Sequence, residues 1–124
     1  MAVEKKIFDL LSTSSAITVI TSTRIYPVVL PQGVAAFPAL VYTRFSGHRE
    51  YSLEGYTGWE NPGIRISCVS RTYTGAKELV AAVHTIMQTT ASGFIANLQS
   101  ENDDYDWESN LYQIMLDYSV WNQE

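Results

Sequence analysis

Polar and apolar residues alternate most cleanly near the end of the chain. There, Leu111–Trp121 puts Tyr112, Ile114, Leu116, Tyr118 and Val120 on one side of an extended segment and Gln113, Asp117 and Ser119 on the other. A two-residue period of this kind predicts a half-buried strand with one packed side. A different period governs the start. Val3, Ile7, Leu10 and Leu11 recur at helical spacing with charges between them, which predicts an amphipathic helix over residues 2–11. It stops at Ser12-Thr13-Ser14-Ser15, whose short polar side chains compete for backbone hydrogen bonds. Ala16–Ile20 suits one more helical turn or an extended piece equally well. Ala76, Leu79, Val80, Val83, Ile86 and Met87 form a longer apolar stripe at three-four spacing, with Thr74 placed to cap that helix.

Between the helices, β-branched and aromatic residues predict strands at Ala39–Phe45 and at Ile64–Tyr73, the latter with Ile64, Ile66 and Cys68 on one face. Phe94–Gln99 predicts a shorter third strand before the closing one. Pro27, Pro31, Gly33 and Pro38 exclude a central strand from residues 24–38 and predict a surface connection. Residues 46–63 exceed what an ordinary hairpin turn needs, and the four glycines there alternate with Tyr51, Leu53, Tyr56 and Trp59. Long loops that carry aromatics tend to be functional. The expected fold is therefore α+β: an antiparallel sheet of about four strands with two main helices on one face, in the order α-β-β-α-β-β. A long loop joins the first two strands, and one domain spans residues 1–124.

Composition narrows the function by exclusion. Hydrophobic residues at 46% and charged residues at 17% are globular values. A net charge of −5, with only eight Lys and Arg scattered along the chain, argues against sequence-specific nucleic-acid binding, which needs clustered cations. Cys68 is the only cysteine, so no intramolecular disulfide can form, and synthesis in a reducing cytoplasm is expected. The longest apolar run, Val34–Tyr42, is broken by Pro38 and too short to span a bilayer, so neither membrane insertion nor secretion is expected.

Candidate chemistry is sparse. His48 and His84 come from a loop and a helix with no nucleophile motif beside them, and Cys68 reads as a buried inert thiol. Asp103, Asp104, Asp106 and Glu108 raise the question of calcium, but the glycine and distal glutamate of an EF-hand loop are not in register. The spacing of Gly55, Gly58 and Gly63 matches no phosphate-binding loop. No catalytic residue, cofactor or metal site is expected. Tyr105 and Trp107 alternate with the acids, as in a docking loop at the tip of a solvated connection over residues 101–110.

Several segments together resemble a known family. They are Thr23-Arg-Ile-Tyr-Pro27, Phe37-Pro-Ala-Leu-Val-Tyr42, Tyr51-Ser-Leu-Glu-Gly55, Ile64-Arg-Ile-Ser-Cys68 with Tyr73, and Leu111-Tyr112 with Leu116–Trp121. In that order and spacing, over nearly the whole chain, they resemble the small tail-completion proteins of long-tailed bacteriophages and prophages. The resemblance implies a structural role like that of tail terminators and head-to-tail joining proteins. It implies a homo-oligomeric ring, commonly of six subunits, between the tail tube protein and the head connector protein, located in the virion after assembly in the host cytoplasm. It carries over no catalytic residues. Tyr51, Leu53, Tyr56 and Trp59 are the expected contacts of one surface, and Tyr105 and Trp107 those of a second. The acidic segment 101–110 departs from the family pattern. Two rival readings are a dimeric α+β module binding a small ligand against its sheet and a small hydrolase using His84 or the acidic segment.

Overall fold

The computed structural model describes residues 3–21, 24–27, 37–46, 49–52, 55–88, 94–108 and 110–123; across 49–60 the description concerns the backbone path. Helix α1 runs over Val3–Thr13 and buries Ile7 and Leu11, as its periodicity predicts. The serine-rich break is a single residue wide, because Ser14 O accepts hydrogen bonds from Ile17 N and Thr18 N and so starts α2, Ser15–Thr21. The ambiguous apolar stretch is thus helical. Arg24 ties the end of α2 to the sheet, donating from Nη2 to Ile20 O at 3.2 Å and from Nε to Pro38 O at 3.0 Å. A cation at a helix C-terminus satisfies carbonyls that the helix leaves unpaired.

Strand β1, Ile25–Pro27, lies parallel to β2, Ala39–Ser46, and the Phe37–Pro38 peptide bond before β2 is cis. Part of the expected surface connection is therefore a strand, and the sheet is mixed. Pro27 is tolerated because β1 sits at the sheet edge, where a missing donor costs no ladder bond. β2 pairs antiparallel with β5, Gly63–Ser70, and β5 pairs antiparallel with β7, Leu111–Gln123. β6, Phe94–Asp106, covers the other edge of β7 along its whole length. These strands make a five-strand core in the order β1-β2-β5-β7-β6.

Two further strands correct the expected loop. β3, Arg49–Ser52, and β4, Gly55–Glu60, pair antiparallel and continue the β2–β5 ladder, so these four strands form one long arm. β4 joins β7 through the pairs Trp59↔Gln123 and Glu60↔Asn122, bringing the sheet to seven strands. Gly55, Gly58 and Gly63, which suggested a loop, lie within strands, and Gly47, His48, Leu53 and Glu54 lie outside the described residues. Asn61 braces the break between β4 and β5, donating from Nδ2 to Val120 O at 2.9 Å and to Ser119 Oγ at 3.0 Å.

Helix α3, Tyr73–Met87, starts earlier than expected. Thr72, not Thr74, is its N-cap: its backbone is extended, and its hydroxyl accepts from Gly75 N at 3.0 Å. The strand expected to reach Tyr73 ends at Ser70 for that reason. Helices α1, α2 and α3 all pack on one face of the sheet. Ile7, Leu11, Ile17, Ala76, Leu79, Val83 and Met87 meet Leu40, Ile64, Ile66, Cys68, Ile114, Leu116, Tyr118 and Val120 there. The packed side of β7 is the one its alternation predicts.

The acidic segment is also regular. β6 continues through Asp106, and Trp107, Glu108 and Asn110 lie in the turn that follows, with Asn110 at φ 57° and its amide donating to Asp106 O at 2.8 Å. The register of β6 slips by one residue between Leu98 and Ser100. Ala96 and Leu98 oppose Val120 and Tyr118 on the packed side of β7, and after the slip Glu101, Asp103 and Tyr105 oppose Leu116, Ile114 and Tyr112 on that same side.

Candidate assembly interface

The end of the β6–β7 hairpin gathers four aromatic rings. Register places Tyr105 directly opposite Tyr112, with ring centroids 4.7 Å apart, and Trp107 meets Tyr105 edge-on at 4.8 Å and 82°. Tyr73, at the first turn of α3, meets the edge of Tyr112 at 5.9 Å. Tilted and edge-to-face pairs at these distances suit the quadrupoles of the rings. Trp107 is nonetheless 83% exposed, a large apolar surface left to solvent at a hairpin tip.

Polar contacts hold the cluster in shape. The Tyr73 hydroxyl donates to Asp103 Oδ2 at 2.7 Å, and the Tyr105 hydroxyl donates to Asn110 Oδ1 at 3.1 Å. Lys77 donates to Glu101 Oε2 at 3.2 Å and lies 5.5 Å from the Tyr73 ring centre. The bond to Asp103 pushes the Tyr73 phenol above its ordinary pKa, and the bond to Glu101 does the same for the Lys77 ammonium. Asp104 Oδ1 accepts from Tyr105 N, and Asp106 Oδ1 accepts from Glu108 N in the turn. The acids are therefore structural members of the tip as well as its charge.

Tyr105 and Trp107, expected as one docking patch, come together here. Tyr73, Tyr112 and Lys77 were missed as partners. A pairing register would find Tyr112, but nothing in the residue pattern signals that β6 extends through the acids. Tyr51, Tyr56 and Trp59 lie on the β3–β4 arm, where Tyr51 pairs with Tyr56 in the backbone register; Leu53 lies outside the described residues. The outer edge of β6 has no strand partner among the described residues, and Ile95 and Leu98 are exposed on its uncharged first half.

Of the other candidate groups, His48 lies outside the described residues, and His84 and Cys68 are engaged in packing. His84 Nδ1 lies 3.2 Å from the Tyr118 hydroxyl and Nε2 lies 2.9 Å from Gln88 Nε2. Burial raises the pKa of both the Tyr118 phenol and the Cys68 thiol far above their ordinary values. Among the described residues no three His, Cys, Asp or Glu groups are arranged to hold a metal ion. On the face away from the helices, Arg65 grips Asp117 and lies over the Phe45 ring.

Comparison with known proteins follows these surfaces. A chain of a solved structure described as the virion of a native gene transfer agent particle is similar in fold, with a TM-score of 0.82 at 14% identity, covering 99% of this chain and 96% of that one. No curated protein matches in sequence. A family model described as tail completion protein gp17 matches residues 5–123. The chain belongs to that tail completion family and is a structural protein of phage tail assembly.

Proposed function

We propose that this protein acts as a tail terminator or head-to-tail joining subunit, closing with copies of itself into a ring, six by the family resemblance, at the end of a phage tail. As a tail-assembly protein it works by binding other structural proteins of the virion, and the virion is where it resides. The tail tube protein and the head connector protein are the partners in this reading. Residues 1–124 act as one domain, made in the host cytoplasm before it joins the particle.

The observation that carries the reading is the β3–β4 arm. β3 pairs with β4, and β4 reaches the rest of the sheet through two residue pairs with β7, so the hairpin stands out from the helix-covered core. A ring needs a heterologous interface, in which one surface of each subunit meets a different surface of the next. The arm supplies one surface, with Tyr51, Leu53, Tyr56 and Trp59 as its contacts, and the unpaired edge of β6 supplies a second. Tyr105 and Trp107 form a further patch for a neighbouring component. Six copies gather roughly 30 excess negative charges, and any that line the lumen repel a passing DNA backbone.

Replacing Tyr56 and Trp59 together by Ala tests this. The variant is expected to fold with an unchanged circular dichroism spectrum and to lose ring formation on tail tubes seen by electron microscopy. Rings and infective particles at the normal yield would refute the assignment of the arm.

A further inference from the structure

We propose that the cleft at the β6–β7 tip receives an arginine side chain from a basic segment of a different virion protein. This rests on the assembly role above and names the chemistry of the partner at one of its surfaces. The cleft is an open hollow of about 370 Å³ lined by Tyr73, Asp103, Asp104, Tyr105, Trp107 and Tyr112. Its rings meet at 57°, 63° and 82°. A flat cation that enters the hollow and meets the face of one of these rings is attracted by the ring quadrupole.

Charge selects the occupant. Glu101, Asp103, Asp104, Asp106 and Glu108 crowd the tip, while Lys77, the cation that contacts this cluster, is already paired with Glu101. A carboxylate offers about four acceptor sites. Tyr73 uses one on Asp103, and the Tyr105 amide uses one on Asp104. A guanidinium can stack on a ring and donate to a carboxylate in the same pose, which an ammonium does less well. Anionic partners are repelled, and the described carboxylates form no metal site.

A second copy of the chain is a poor source of that arginine. Four of its five arginines are engaged within the subunit: Arg24 donates to the Ile20 and Pro38 carbonyls, Arg44 to Glu4 and Arg65 to Asp117, while Arg71 lies over the Phe37 ring; the fifth, Arg49, begins β3 on the arm. With a net charge of −5, a copy also repels the tip. A basic stretch on another component meets neither obstacle.

The test is a titration of the purified protein with a blocked glycine–arginine repeat peptide, followed through the Trp107 indole N–H resonance. A peptide with citrulline replacing arginine keeps the shape and lacks the charge. Saturable binding of the arginine peptide is expected, about tenfold tighter than the citrulline peptide. Trp107→Ala is expected to abolish the preference in a binding assay by calorimetry. Asp103→Asn with Asp104→Asn keeps the acceptors for Tyr73 and Tyr105 and is expected to weaken arginine binding about tenfold. Asp9→Asn, on α1, should change nothing.

Equal binding of the two peptides, no saturation, or full binding by Trp107→Ala would overturn the proposal. Particle assembly separates this from the wider role. Normal tails after deletion of the whole chain would refute the assembly reading itself, whereas tails that need the chain, combined with equal peptide binding, would refute the cleft alone.

Discussion

Arg65 and Asp117 stand directly opposite each other on β5 and β7, and the guanidinium holds the carboxylate with hydrogen bonds of 2.7 Å from Nε and 3.2 Å from Nη2. Ser100 adds a third from β6 at 3.2 Å, and the Phe45 ring lies under the guanidinium, 5.2 Å from its carbon. One row of side chains thus links four strands on the face opposite the helices.

The Arg65 hydrogen bond holds the Asp117 carboxyl below its ordinary pKa. A depressed folded value means that the stabilisation is complete above the unfolded value near ~3.9 and is lost as pH falls through the folded value. Asp117→Asn is expected to cost about 1–3 kcal/mol at neutral pH and less at acid pH. Urea unfolding of both proteins at neutral pH and near pH 3 measures this, and an undiminished difference at low pH would contradict it.

The cap of α3 should be sensitive to a single methyl group. A Cβ on Gly75 would lie 2.6 Å from Ser70 Oγ and 2.9 Å from Thr72 Oγ1, so both hydroxyls must give way. Gly75→Ala is expected to destabilise by about 1–3 kcal/mol despite the better helix propensity of Ala. Thr72→Ala should cost about 1 kcal/mol through loss of the cap. Because both act on one contact, the double variant should lose less than the summed effects, as a urea double-mutant cycle would show.

Asn110 carries the left-handed backbone of the β6–β7 turn and accepts the Tyr105 hydroxyl. Asn110→Val should cost about 1–2 kcal/mol from the backbone alone. Asn110→Gly frees the backbone while losing the acceptor, and should come out closer to the original protein. The order of the two in thermal unfolding decides the point.

Cys68 is fully buried and its thiol is held protonated by that burial, with the negative field of Glu101 adding to it. Reaction with an aromatic disulfide reagent at mildly alkaline pH should therefore be slow in the native protein and rise with urea in step with unfolding. Fast labelling without urea would contradict the packing of β5.

Much of this architecture was legible where burial and period agree. The alternation of β7 and the stripe of α3 are side-chain patterns imposed by a single apolar face, so they name their own elements. The β3–β4 arm and the second half of β6 were not legible, because pairing along an existing ladder, more than burial, makes them strands. Asp103 and Glu101 read as loop residues until Tyr73 and Lys77 are seen to satisfy them from α3. Tyr105 and Trp107 were recognisable as a pair of exposed aromatics, whereas Tyr112 looked like one more residue on the packed side of β7.

Gln99, the supernumerary residue of β6, decides which way the whole tip looks. Were Gln99 instead paired with Asp117 in unbroken step, Glu101, Asp103 and Tyr105 would fall on the side away from α3. Tyr73 and Lys77 would then lose their partners, while Phe94, Ala96 and Leu98 would stay where they are. One residue set aside from the ladder thus decides which side of the subunit the aromatic, anionic head of this hairpin faces, and it does so without touching the interior.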